Sequence, residues 1–188
     1  MTIERISGLV LLIGSLLFIV AAFLPISWVF GERVLEKKLE MINAALGSWK
    51  FAQVLFGAGA AVAAIGFFFI YLHLRNSEAN TAALIAFVCA AVGAVLWAWH
   101  TYLRADDPNG FVYRLLQPNW LAGAYFVLTM AALFAFGIGL LKTEYQPWVG
   151  WMNIIASIVF ILIAIIFGDI PPFVFYIITA ITAVVLIL

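Results

Sequence analysis

Residues 51–74 read FAQVLFGAGAAVAAIGFFFIYLHL, a run without a single Lys, Arg, Asp or Glu. At about 1.5 Å of rise per residue, about 20 helical residues cross a hydrocarbon core of about 30 Å, so this run can span a bilayer unaided. Working outward, the charges leave five more such runs: Ile6–Gly31, Ala79–Leu103, Leu115–Leu141, Tyr145–Gly168 and Ile170–Leu188. The whole chain agrees. Of its 188 residues 67% are hydrophobic and 10% charged, against about half and about a quarter in soluble domains. Nine acids and nine bases cannot coat a water-soluble domain of this size. That excludes a soluble enzyme and a disordered segment, and zero net charge gives no basic face for nucleic acid.

The expected fold is all-α: a polytopic integral membrane protein, one domain over 1–188, with six transmembrane helices and one short amphipathic interfacial helix. The spans fall at about 6–30, 50–74, 80–103, 117–141, 146–167 and 172–188, and the amphipathic helix at 32–47. A β-barrel would show segments of alternating polarity, whereas Leu9–Ile19 and Val159–Phe167 are apolar on every side. The first run is too long for a signal peptide and no small-x-small cleavage site follows it. Pro25 in its last third predicts a kink near the membrane surface. The sixth run begins with Pro171 and Pro172, so it either ends within the interface or belongs to a chain that continues past Leu188.

Six spans place both termini on one face, together with the loops at 75–78 and 142–144. The other face carries 31–50, 104–114 and the Gly168–Pro172 turn. A literal count of basic residues, Arg5, Arg75 and Lys142 against Arg33, Lys37, Lys38, Lys50, Arg104 and Arg114, puts the termini outside. Lys50 within a span and two lysines in an acid-rich helix shrink that bias. In layout alone the chain is similar to many bacterial six-span proteins, which implies an inner-membrane location and cytoplasmic termini.

In 32–47, Leu35, Leu39, Ile42 and Leu46 share one helical face while Glu36, Lys37, Lys38 and Glu40 cover the rest. Such a helix lies in the membrane interface or caps the bundle's own mouth; the alternative is docking of a partner. Gly57–Ala64, and Ala86, Cys89, Ala90, Gly93 and Ala94, form small-xxx-small faces that predict a tight hairpin of the second and third spans, or a homodimer. Trp28, Trp49, Trp97, Trp99 and Trp120 cluster at one level and Trp148 and Trp151 at the other, an aromatic belt or the wall of a binding mouth. Asn153 and Ser157, one turn apart, are placed to bond a neighbouring helix.

The chain carries no Walker loop, nucleophile elbow, His-Glu-x-x-His or paired cysteines. Asp106-Asp107-Pro108-Asn109-Gly110 reads as a turn. His73 and His100 lie near opposite surfaces and cannot share a haem. No cofactor or metal is expected. The candidate site is a polar vestibule on the face opposite the termini: Lys50 and Gln53 one turn apart on the second span, His100 and Arg104 on the third, Asp169 in the last turn, Trp97 as wall. Asn119 begins the fourth span on that face. Ionisable groups in spans usually face a protein interior or a water-filled cavity; against this, Lys50 and Arg104 could snorkel to the surface. Three functions follow. The chain binds or transports a lipid or small ligand through this vestibule. It is an accessory subunit of a larger membrane complex. Or it is an intramembrane lipid-modifying enzyme, with His100 and Asp106 or Asp107 as its acid-base groups.

Overall fold

A computed structural model describes residues 2–113, 120–168 and 171–188. In chain order it contains α1 (Ile3–Phe23), a 3-10 helix (Pro25–Gly31), α2 (Leu35–Ala44), α3 (Leu46–Leu74), α4 (Asn80–Asp106), α5 (Pro108–Tyr113), α6 (Trp120–Leu141), α7 (Pro147–Phe167) and α8 (Phe173–Ile187). No strand occurs among the described residues. The protein is an all-α bundle of membrane-spanning character: α1, α3, α4, α6 and α7 are each long and apolar enough to cross a bilayer, and α8 is apolar but shorter. Its 15 residues reach about 22 Å at helical rise.

Local chemistry sets the breaks. Leu24 precedes a proline, is extended (φ −60°, ψ 143°) and stops α1 at Phe23, since the ring of Pro25 disfavours helical geometry in the residue before it. The first span is therefore shorter than 6–30, and a 3-10 helix replaces its last turns. Segment 32–47 likewise divides: α2 ends at Ala44, Ala45 leaves helical geometry (φ −132°, ψ 40°), and Leu46 already begins α3. Pro147 opens α7 at a position where a missing N–H costs nothing. Gly168 closes it with φ +80° and its N–H bonded to Ala164 O, a left-handed cap that suits glycine.

The six long helices form a ring in the order α8, α1, α3, α4, α6, α7. Most seams close through glycine. A Cβ on Gly14 would fall on the Ala63 backbone and on Gly59 O, and one on Gly59 would meet Phe18 N at 2.7 Å. Gly137 and Gly150 face each other across α6 and α7, and Gly8 sits 2.8 Å from Ala183 O of α8 by the same measure. The small face of α3 is thus spent mainly on α1. Gly57 alone of its glycines turns to α4 (Thr101 Oγ1, 3.1 Å), while Gly93 of α4 turns to α6. The expected hairpin of the second and third spans exists, but the tightest crossing is elsewhere.

Gly8 against Ala183 and Ile187, and Gly139 against Ala82 and Ala83, gather the start of α1, the end of α8 and the α3–α4 loop at one end of the bundle, the terminal end. There the Tyr145 hydroxyl bonds the Glu4 carboxylate, and burial together with that negative charge pushes the Tyr145 hydroxyl well above its usual range. Asn153 Nδ2 donates to Thr182 Oγ1 of α8 at 2.8 Å, as expected for a span asparagine. Ser157 instead donates to Ile154 O of its own helix. Trp28, Trp99, Trp120, Trp148 and Trp151 are exposed at the ends of the bundle, whereas Trp49 and Trp97 are buried. The belt expectation fits the first five; the other two build the interior of the mouth end.

Candidate functional site

At the end opposite the termini the helices enclose a partly open cavity of about 680 Å³, inside the range of small-molecule pockets. Its floor is aromatic. Phe18 of α1 stacks on Tyr176 of α8 (ring centroids 4.0 Å) and lies 5.8 Å from Trp97 of α4, which stacks on Tyr125 of α6 at 4.4 Å. The Tyr125 and Tyr176 hydroxyls close this circuit with a 2.8 Å hydrogen bond. Buried tyrosines need such a partner, and here one hydroxyl donates to the other. On the terminal side of that floor lies a small void of about 30 Å³ lined by Ala60, Ala63, Ala94, Thr129 and Thr179, room for about one water.

Ala22, Ser27, Phe30 and Gly31 form one wall, and Ala122, Gly123 and Phe126 of α6 another. Ala164 and Gly168 of α7 face Pro171, Pro172 and Phe173 at the start of α8. Ser27 is fixed by donating its hydroxyl to Ala21 O at 2.6 Å.

The one cation among the described lining residues is Arg104. Its guanidinium lies 5.0 Å from the ring centroid of Phe111 and 5.4 Å from those of Phe30 and Trp97, within cation–π range of all three. Trp49 reinforces this corner by donating Nε1 to Arg104 O at 2.9 Å. Beside it Ile26, Val29, Ile42, Trp49, Ala52 and Val112 form a separate apolar cluster at this end of the bundle. Ile42 is fully buried and Leu39 packs on the cluster, while Leu35 is exposed. Of the expected stripe, Leu39 and Ile42 therefore pack on the bundle, while Leu35 and Leu46 are exposed. At the base of α2 Lys37 pairs with Glu32 at 2.8 Å, and that hydrogen bond lowers the Glu32 pKa to about 2 and raises that of Lys37.

The residues expected in the vestibule are distributed unevenly. Trp97 and Arg104 line the cavity. His100 is buried with its ring 5.4 Å from Trp97, and Gln53 is buried on α3 one turn before Gly57, which faces α4. Neither appears among the lining residues. The ring nitrogens of His100, both amide atoms of Gln53 and Trp97 Nε1 are buried without a hydrogen-bond partner. Lys50 is exposed on α3, away from the cavity, and His73 is exposed near the terminal end of α3. Asp169 and Asn119 lie outside the described residues. Asp106 is exposed, and the Asp107 carboxylate accepts the Gly110 N–H at 2.9 Å.

Sequence reasoning overlooked the floor. Phe18, Tyr125 and Tyr176 looked like ordinary span residues, yet a tyrosine inside an apolar helix signals a buried partner for its hydroxyl. Among the described residues no group of three His, Cys, Asp or Glu is placed to hold a metal ion. Compared with protein-family models, curated proteins and solved structures, the chain finds no match.

Proposed function

We propose that this is a membrane protein that binds a lipid or small apolar ligand in the cavity at the mouth end, its body against the aromatic walls and its polar end beside Arg104. The cavity itself is the observation that carries this reading: a void of about 680 Å³ walled by aromatic rings, with a caged guanidinium at the depth where α4 nears its end. Binding suits the arrangement better than passage. The Phe18–Trp97–Tyr125–Tyr176 circuit closes the floor, and secondary transporters usually break their helices at mid-membrane, whereas α3 and α4 run unbroken. In the full proposal the bundle crosses the membrane six times, α8 accommodating its shortness by local thinning. The termini are cytoplasmic, and α2 lies at the opposite interface.

Gly123 gives the test. A Cβ there would meet nothing within 4 Å and Gly123 lines the cavity, so Gly123→Trp adds bulk at the cavity wall from a position with room for it. Native mass spectrometry of wild type in mild detergent is expected to show a bound lipid or small molecule, and the variant to lose at least tenfold of its occupancy. Equal occupancy in both would place binding outside the cavity. A stoichiometric polypeptide with no small molecule would favour the accessory-subunit role instead. Cysteines at Asn76 and Asn109, both exposed, should label with an impermeant thiol reagent from opposite sides, and small tags at the two termini from the same side.

A further inference from the structure

Five of the six seams in the ring are packed closely, most of them through glycine: α1 with α3, α1 with α8, α3 with α4, α4 with α6, and α6 with α7. The sixth is different. Although α7 and α8 are consecutive in the chain, their backbones scarcely approach one another, and a Cβ on Gly168, at the end of α7, would meet nothing. Asn153 to Thr182 is their polar tie, and it lies in the terminal half. Toward the other end the two helices separate far enough that Ala164 and Gly168 on one side, and Phe173 and Phe175 on the other, line the same cavity. What bridges them is an apolar cluster in which Phe175 of α8 is buried, with Phe160 (5.3 Å between ring centroids), Ile163 and Ala164 of α7 packed on it and Phe126, Met130 and Leu133 of α6 behind.

The surroundings of this seam are apolar. Leu162, Ile165, Ile166 and Phe167 of α7 are all exposed, as are Ile177 and Ile181 of α8. On a membrane-spanning helix such side chains face hydrocarbon. On the mouth side the 3-10 helix contributes Ser27, Phe30 and Gly31 to the cavity wall. The α7–α8 side is the one bordered by exposed apolar side chains. Arg104 stands in the cavity wall two residues before the end of α4, near the depth of lipid phosphates, and a cation there complements them.

We infer that the α7–α8 seam is a lateral entrance through which a bilayer phospholipid enters the cavity, an acyl chain against the aromatic walls and the phosphate drawn in toward Arg104, which lines the same cavity. This rests on the ligand-binding role proposed above and narrows the ligand to a membrane-dissolved amphiphile. Phe175 is the movable part: it lines the cavity and the deeper void alike, and its ring touches Phe160 and Phe126.

The test uses full-length protein carrying Cys89→Ala in vesicles containing phosphatidylglycerol with a photoreactive diazirine on one acyl chain. Labelled peptides are mapped by mass spectrometry. Cavity peptides around Phe126 and Phe173 are expected to label. In the double variant Phe160→Cys/Phe175→Cys, closure with a bis-methanethiosulfonate, which joins the two thiols through disulfides, should reduce that labelling at least tenfold, and a reductant that cleaves those disulfides should restore it. Undiminished labelling after closure overturns the lateral entrance while leaving the cavity reading intact. Absence of cavity labelling in wild type overturns both. Gly123→Trp, run in parallel, reports on the cavity alone. Should the double variant not fold, Phe175→Ala is expected to raise the labelling rate severalfold, and an unchanged rate overturns the proposal.

Discussion

The terminal end of the bundle and the mouth end are made from the same helices but closed by opposite means. Near the termini, Gly8, Gly137 and Gly150 bring backbone against backbone, with a Cβ on Gly137 landing 2.6 Å from Gly150 O. At the mouth, Phe18, Trp97, Tyr125 and Tyr176 meet ring to ring and stack into the floor of a cavity. Lipid offers no hydrophobic drive for helices to associate, so contact must come from fit. Small residues achieve fit by proximity and leave no room; large planar ones achieve it by stacking and leave space between the stacks. A site can form only at the second kind of end.

The comparison breaks most severely at Gly14. Gly14→Leu drives a side chain into the Ala63 backbone, which cannot yield as a side-chain tip could. A loss of about 3 kcal/mol or more is expected, read as a lowered midpoint in detergent-denaturant unfolding. A midpoint equal to that of Gly123→Leu, which meets nothing, would show that the seams are not glycine-dependent.

Ile42→Ala comes next. It empties a fully buried position of the apolar cluster around Trp49, with an expected cost of about 2 kcal/mol. The effect should be confined to the mouth: faster proteolysis of residues 32–45, with the spans intact. Unchanged proteolysis would mean that α2 does not rest on the bundle.

Asn153→Leu is expected to cost about 1 kcal/mol or less. It removes the bond to Thr182, typically worth about 0.6 kcal/mol between span helices, but also removes Asn153 Oδ1, which is buried without a partner. Unfolding in mixed micelles measures the sum; a large loss would show that the α7–α8 seam depends on this one tie.

The smallest effect concerns pH. Glu32 has its pKa lowered from 4.5 to about 2, so its pairing with Lys37 helps hold the start of α2 at any pH above about 4.5 and is lost as pH falls toward 2. Proteolytic protection of the segment around residue 34 should therefore be flat from neutral pH down to about 5, then decline. Protection that weakens on going from pH 8 to pH 6 would point to a different group.

The architecture was legible because span length is a one-dimensional property. A run of about 20 apolar residues must become a helix in lipid whatever its neighbours do, and so Phe51–Leu74 announced its helix without reference to the rest of the chain. The boundaries at Pro25 and Gly168 were similarly local. Two of the six residues expected in the vestibule, Arg104 and Trp97, do line the cavity, and they betray themselves by being polar or amphipathic near a span end. Lys50 had the same credentials but is exposed, because the direction a side chain faces depends on which helix passes beside it.

Sequence alone thus determined that the chain is an apolar helical bundle with polar groups near one end. The tertiary structure decided the rest: that the small face of α3 meets α1 through Gly59 and Gly14, that four aromatic residues from four helices form one floor, and that α7 and α8 stay apart beside the cavity. Helix formation in a membrane is settled within each segment by its own hydrogen bonds. Which segments touch is settled between them, by shape, and shape is not written in any single run of residues.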